Sequence, residues 1–189
     1  MSVTDTSEKG LETLIVSALV GARGEGPDRT GIGAEPDLFY GGTRYVLGNP
    51  SAYDRDHAVD PEKLFEFLRA TQPKVLEQLV LTEKSSKRQQ FLARLQGEIA
   101  KRGIIDVLRK GIKHGPASVD LFYGTPSPEN AKAVELFAAN IFSVTRQLHY
   151  SKDETQLALD LVLFINGLPV ATFELKNRLT KQTVEDAVQ

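Results

Sequence analysis

Cysteine is absent from this chain, and with it every disulfide and every thiolate metal site. Stability must come from packing, and 189 residues suffice for one domain that buries roughly 70% of the surface its unfolded form exposes. No apolar run approaches the roughly 20 residues of a membrane span. The opening MSVTDTSEKG is too polar for a secretory signal, so the expectation is a soluble, cytoplasmic protein without a membrane partner. Several catalytic signatures are missing too. There is no GxxxxGK followed by Ser or Thr, and the glycines between Gly24 and Gly48 are not followed by a helical pattern, which excludes a nucleotide-binding phosphate loop. HExxH and GxSxG are absent, and His57, His114 and His149 lie far apart without ligand spacing. No internal repeat or low-complexity tract is found.

The net charge of −2 hides an uneven distribution. Residues 1–83 hold 8 Lys and Arg against 14 Asp and Glu, residues 84–114 hold 9 against 2, and residues 115–189 hold 6 against 9. The middle segment is thus strongly basic. Within it, Lys87, Arg94 and Lys101 recur every seven residues, close to one face of a helix whose other face carries Phe91, Leu92, Leu95 and Ile99. A basic stripe of this kind suits phosphates, and it equally suits plain solvation.

Apolar spacing predicts a helix in LETLIVSALV, with Leu11, Leu14, Ile15, Ala18 and Leu19 inward and Glu12 off that face. About 40 glycine-punctuated loop residues follow. Asp60-Pro61 opens a helix over PEKLFEFLRAT, with Asp60 as N-cap. Further helices are expected over about 86–101 and in IIDVLRKGI. VDLFYG reads as a short strand, and Ser127-Pro128 as the start of a helix with Ala131, Val134, Ala138 and Ile141 on its inner face. FSVTRQLHY alternates with period two, and LALDLVLFINGLPVATFELK folds about Asn166-Gly167 into a hairpin. TKQTVEDAVQ begins a last helix with Thr180 as a candidate cap.

The hairpin holds three charges where a strand prefers none: Asp160, Glu174 and Lys176. A plain two-residue turn gives both faces mixed character and sets Asp160 opposite Phe173. A bulge, or a three-residue turn, shifts the register by one. Leu157, Leu159, Leu161, Leu163 and Ile165 then share an apolar face with Ala171, Phe173 and Leu175, while Asp160, Glu174 and Lys176 gather on the other. Patterning favours this shifted register. Two carboxylates about 4 Å apart repel by roughly 4 kcal/mol at an effective dielectric of 20, so they call for a proton or a cation. Oxygen donors suit Mg²⁺ or Mn²⁺, and such an ion can activate water for phosphodiester hydrolysis. The competing reading is a structural ion pair at a sheet edge.

Asp160 followed by Glu174-Leu175-Lys176 resembles the D…ExK motif of the PD-(D/E)xK nucleases. GLETLIVSALV, YVLGNPSAYDRDHAVD, FLRATQP, RLQGEIAKRGIIDVLRKGIKHG, VDLFYGTPSPEN, FSVTRQLHYS and NGLPVATFELKN extend the likeness. Together they resemble the N-terminal nuclease region of the R subunit of type I restriction-modification enzymes, from about residue 8 to 189. The resemblance implies an α/β mixed sheet with a restriction-endonuclease-like core flanked by helices, forming a single nuclease domain over residues 1–189 at the front of a longer subunit. It implies Asp160 and Glu174 as Mg²⁺ ligands, Lys176 beside the scissile phosphate, double-stranded DNA as substrate, and modification and specificity subunits as partners. ATP would enter only through motor domains that are not in this sequence. Glu12, which by itself reads as a surface acid, matches an N-terminal-helix acid that approaches the metal in related nucleases. Gln189 matches the start of a Gln-x-x-x-Tyr element whose Tyr is not in this sequence. Lys87, Arg94 and Lys101 would be the DNA track, without base readout. A stand-alone exonuclease or repair nuclease of the same fold, and a non-catalytic DNA-binding or docking module, are the alternatives.

Overall fold

A computed structural model describes residues 7–20, 45–81 and 85–176. The expected loop over 21–44, the final helix with Thr180, and Gln189 lie outside the described residues. The rest is an α/β fold: a mixed four-stranded sheet with helices around it and a small separate hairpin.

Helix α1 (Glu8–Val20) comes first, followed by the short strand β1 (Val46–Leu47) and a single 3-10 turn (Pro50–Ala52). Helix α2 (Pro61–Thr71) begins where the sequence predicts, with the Asp60 carboxylate accepting from the Lys63 N–H at 3.1 Å. Its Leu64, Phe65, Phe67 and Leu68 are buried, each worth about 1.5–3 kcal/mol relative to exposure. Helices α3 (Pro73–Gln78), α4 (Ser86–Arg102) and α5 (Ile104–Lys110) follow, the last two within a residue or two of expectation. Strands β2 (Ile112–His114) and β3 (Ala117–Val119) form the small hairpin. Together α2, α3, α4, α5 and this hairpin close the larger core around Phe65, Phe91, Leu95 and Val107.

The predicted strand in VDLFYG extends only to Val119. Beyond it the backbone is satisfied by side chains instead of a ladder. The Asp120 N–H donates to Gln72 Oε1, the Tyr123 N–H to Asn140 Oδ1, and the Leu121 carbonyl accepts from Asn166 Nδ2. Helix α6 (Ala131–Ala138) starts three residues later than Ser127-Pro128 suggests. Asn130, not Ser127, caps it, accepting from the Ala133 N–H at 3.0 Å. The inward residue is Phe137, while Ala131, Val134 and Ala138 are exposed. Burying Phe137 removes more apolar surface from water than burying Ala131 and Ala138 would, and the helix turns that side inward.

The main sheet runs β1-β4-β5-β6, with β4 (Phe142–His149), β5 (Ala158–Ile165) and β6 (Leu168–Phe173) antiparallel and β1 parallel to β4. The β5–β6 turn uses two residues, Asn166 at φ +51° and Gly167 at φ +79°, the left-handed pair that suits strand twist. A Cβ on Gly167 would meet the Asp60 carbonyl oxygen at 2.2 Å, so glycine lets the turn seat on the start of α2. Between Leu163 and Phe164 the register then slips. Leu163 faces Ala171 and Phe164 faces Pro169, which leaves Val170 as the extra residue of a bulge. Pro169 has no N–H to give a ladder, and a bulge is where it is tolerated.

The single apolar face expected for the hairpin is not formed. Leu161, Leu163 and Leu175 pack with Val16 and Val144 under α1, Ile165 packs on the larger core, and Leu157 is exposed. Leu159 joins Leu148, Val162 and Phe164 in a third cluster. Gln147, at φ +47° inside β4, lies where the packing changes sides, since Val144 belongs to the cluster under α1 and Leu148 to the third cluster.

Candidate active site

The bulge decides the geometry of the three charges. From Leu163 outward the register pairs Leu161 with Phe173, the last pair of the ladder, and Asp160 and Glu174 are the next residues of the two segments. The Leu175 N–H, just beyond β6, donates to Asp160 Oδ2 at 2.6 Å and fixes that end of the hairpin on the aspartate. Glu174 and Lys176 are partly exposed, and Lys176 Nζ stands 3.9 Å from Glu174 Oε1. A pair so long and so open contributes little to stability, which leaves both groups available to a ligand.

Glu12 is the principal departure from expectation. It is not a surface acid but one of the most buried side chains of α1, while Leu11 and Leu14 are exposed. The inner face of α1 is centred on Glu12 and Val16, with Ile15 and Leu19 beside them. The physical reason lies in β4. Arg146 Nε donates to Glu12 Oε1, and Gln147 Nε2 donates to Glu12 Oε2 at 2.9 Å, so the buried charge is paired and hydrogen-bonded. The Gln147 amide also donates to Asp160 Oδ1 at 3.2 Å. Glu12 is therefore linked to Asp160 through an amide, beside an open cleft of about 460 Å³ lined by Glu8, Lys9, Glu12, Arg146, Gln147 and Asp160.

Arg146 and Gln147 are absent from the residues singled out in the sequence. A signal was present: Arg146 falls in the apolar series Phe142, Val144, Leu148, where a cation requires a buried partner. Nothing in the spacing indicates the left-handed backbone at Gln147.

Asp160 and Glu174 offer oxygen donors only, the chemistry of Mg²⁺ or Mn²⁺. Among the described residues no group of three or more His, Asp or Glu side chains is placed to hold a metal. Two carboxylates with water suffice for Mg²⁺, which characteristically keeps several waters and takes further oxygens from a phosphate. The donor set fits such an ion, and both oxygens of Glu12 are already engaged by Arg146 and Gln147.

The basic stripe sits on α4, which belongs to the larger core. Lys87, Arg94 and Lys101 are exposed, and Phe91, Leu92 and Leu95 are buried beneath them. Arg94 pairs with Glu98 at 2.9 Å, and Glu98, Arg102, Asp106 and Lys110 continue an alternating chain of charges onto α5. A second cleft, of about 360 Å³, runs from Arg94 to Lys110, Lys113 and Ser118, adding cations that the heptad spacing does not show. His114 lies under this face, its ring edge-on to Phe91 at 5.4 Å. Burial first, and then Arg94 and Lys87, push its pKa below the ordinary value. The other two histidines are engaged singly, His57 with Asp54 at 2.7 Å and His149 with the Thr155 carbonyl. Among the described residues no helix is long and apolar enough to cross a membrane.

Comparison with known proteins agrees with the likeness read from the motifs. The family model described as type I restriction enzyme R protein N terminus matches residues 54–189, a span that begins after α1 and so excludes Glu12. The chain is 31% identical over 93 residues, or 49% of its length, to the "Putative type I restriction enzyme MjaIXP endonuclease subunit" of Methanocaldococcus jannaschii. It spans 9% of the length of that curated relative. No solved structure matches the chain.

Proposed function

The chain belongs to the family of type I restriction enzyme R protein N termini, and from that premise we propose that it is a Mg²⁺-dependent endonuclease domain that hydrolyses phosphodiester bonds of double-stranded DNA. The observation that carries this reading is the end of the β5–β6 hairpin. There a bulge sets the register in which Leu161 pairs with Phe173, so that Asp160 and Glu174 are the next residues of the two segments, and the Leu175 N–H donates to Asp160, with Lys176 one residue further on. Asp160 and Glu174 would hold the ion, which when bound supplies an acidified water and neutralises phosphate charge.

The protein's own groups do the rest. Lys176, loosely held by Glu174, can reach a phosphate oxygen or orient the attacking water, and its positive charge favours the more negative transition state. Asp160 is held by hydrogen bonds on both oxygens, so little reorganisation is needed when substrate arrives. Lys87, Arg94, Lys101, Lys110 and Lys113 would attract the DNA backbone without reading bases, which places site choice with the other subunits of the restriction complex. ATP-driven movement on DNA belongs, on this reading, to the rest of the longer R subunit.

The test is calorimetric titration of Mn²⁺ into the wild-type chain and into Asp160→Ala and Glu174→Ala. Binding by the wild type and its loss in both variants is the expected result. Binding retained in both would place the ion elsewhere and leave the three charges as a structural network, the module reading.

A further inference from the structure

Resting on the metal reading of Asp160 and Glu174, we infer that Gln147 is the positioning residue of this site, using a left-handed backbone to bind α1 and Asp160 with one amide. In a regular strand Gln147 would point away from the side that Arg146 faces. Here both side chains end on the same carboxylate, that of Glu12. The φ of +47° accomplishes this, in a region that residues with a Cβ enter only at an energetic cost. It does not serve to insert a residue into the ladder, because Arg146 faces Leu161 and Leu148 faces Leu159, so the β4–β5 register is the same on both sides of Gln147, where the pairing itself lapses.

What the distortion achieves is the placement of Nε2. That nitrogen has two hydrogens, and the two acceptors are Glu12 Oε2 at 2.9 Å and Asp160 Oδ1 at 3.2 Å. Asp160 Oδ2 is taken from the other side by the Leu175 N–H. The carboxylate is thereby held from both flanking segments, and each of its oxygens keeps a lone pair for a cation. Glu12, buried and neutralised by Arg146, supplies the fixed point for the amide. A purely structural Glu12–Arg146 pair would need no left-handed neighbour. On this account α1 acts on the site through Gln147, and Glu12 is a support for the site instead of a metal ligand. Outer partners of this kind typically carry ten- to hundredfold in metal affinity.

The experiment combines two readouts on the 189-residue chain. In the metal-free protein, Gln147→Met and Asp160→Asn are combined in a double-mutant cycle of urea unfolding, and the two effects are expected to be non-additive. In Mn²⁺ calorimetry, Gln147→Met, which keeps length and loses both donors, is expected to weaken binding by about ten- to hundredfold. Gln147→Gly, which also relieves the left-handed strain, is expected to weaken Mn²⁺ binding equally while unfolding at higher urea than Gln147→Met. Additive unfolding effects would overturn the proposal by showing that the amide does not hold Asp160. Unchanged Mn²⁺ affinity in Gln147→Met, with wild-type binding intact, would overturn it by showing that the contact is structural only. Coupling without any Mn²⁺ binding by the wild type would instead overturn the metal reading of the site, and the positioning role with it.

Discussion

Around Phe91, helices α2, α4 and α5 and the small hairpin meet through apolar side chains, and the charges of α4 and α5 pair at i,i+4 along their outer side. Under α1 the sheet instead presents Arg146 and Gln147 to a buried Glu12, with apolar contact limited to a small cluster about Val16, Val144 and Leu161. The first region follows the local rules more closely, since an N-cap and a proline start α2 and the apolar faces of α2 and α4 are the buried ones. The second breaks several, with an acid on the inner face of a helix, a cation in an apolar strand series and a left-handed residue inside a strand. Such departures concentrate where a protein positions polar groups for function, and their cost is borne by the surrounding structure. The difference also separates what each region tolerates, since apolar packing loses stability with lost volume and a polar network loses it with a lost partner.

The comparison can be broken at its strongest point by Phe91→Ala. Phe91 is fully buried and packs on Phe65, so truncation is expected to cost about 3–5 kcal/mol, read as a lower urea midpoint. Metal binding by the molecules that remain folded should be unaffected. A loss of Mn²⁺ affinity at full folding would mean that the two regions are not separable.

A smaller effect is expected from Arg146→Ala, roughly 2–3 kcal/mol, because it leaves the Glu12 charge buried with only the Gln147 amide as partner. The double replacement Glu12→Leu with Arg146→Leu should recover most of that loss, as apolar substitutes for a buried ion pair commonly do. Unfolding free energies of the single and double variants check this. A double variant as unstable as Arg146→Ala would show that the pair does more than satisfy itself.

The smallest effect concerns pH. His114 has its pKa lowered by burial and by Arg94 and Lys87, so near its ordinary value of about 6.5 the unfolded chain binds protons more readily than the folded one. Stability from this source is intact above that value and declines as pH falls through it. His114→Gln should flatten this part of the slope between about pH 7 and 5, measured as urea midpoints across that range. An unaltered slope would detach His114 from the basic face of α4.

The legible parts of the fold were those where one local cause acts alone. Asp60-Pro61 marks the start of α2 because an N-cap and a proline at the first turn need no tertiary partner. Ser127-Pro128 carries the same signal and misleads, because Asn130 also caps and the chain before it is held in a turn by the Asn130 N–H on the Ser127 carbonyl. VDLFYG has strand composition, yet its backbone finds Gln72, Asn140 and Asn166 side chains before it finds another strand.

By itself, the sequence determined helices α2, α4 and α5 of the larger core, the Asn166-Gly167 turn and the need for a register shift, since period, caps and turn residues act over a few positions; α3, a six-residue helix, was not legible in it. It also put Asp160, Glu174 and Lys176 at one end of a hairpin, because a period of two leaves few ways to hide apolar side chains. Only the tertiary structure decided that Glu12 turns inward and that Arg146 and Gln147 meet it across more than 130 residues of chain. A buried acid is stable only beside its partner, and no local spacing rule specifies a partner that distant in sequence.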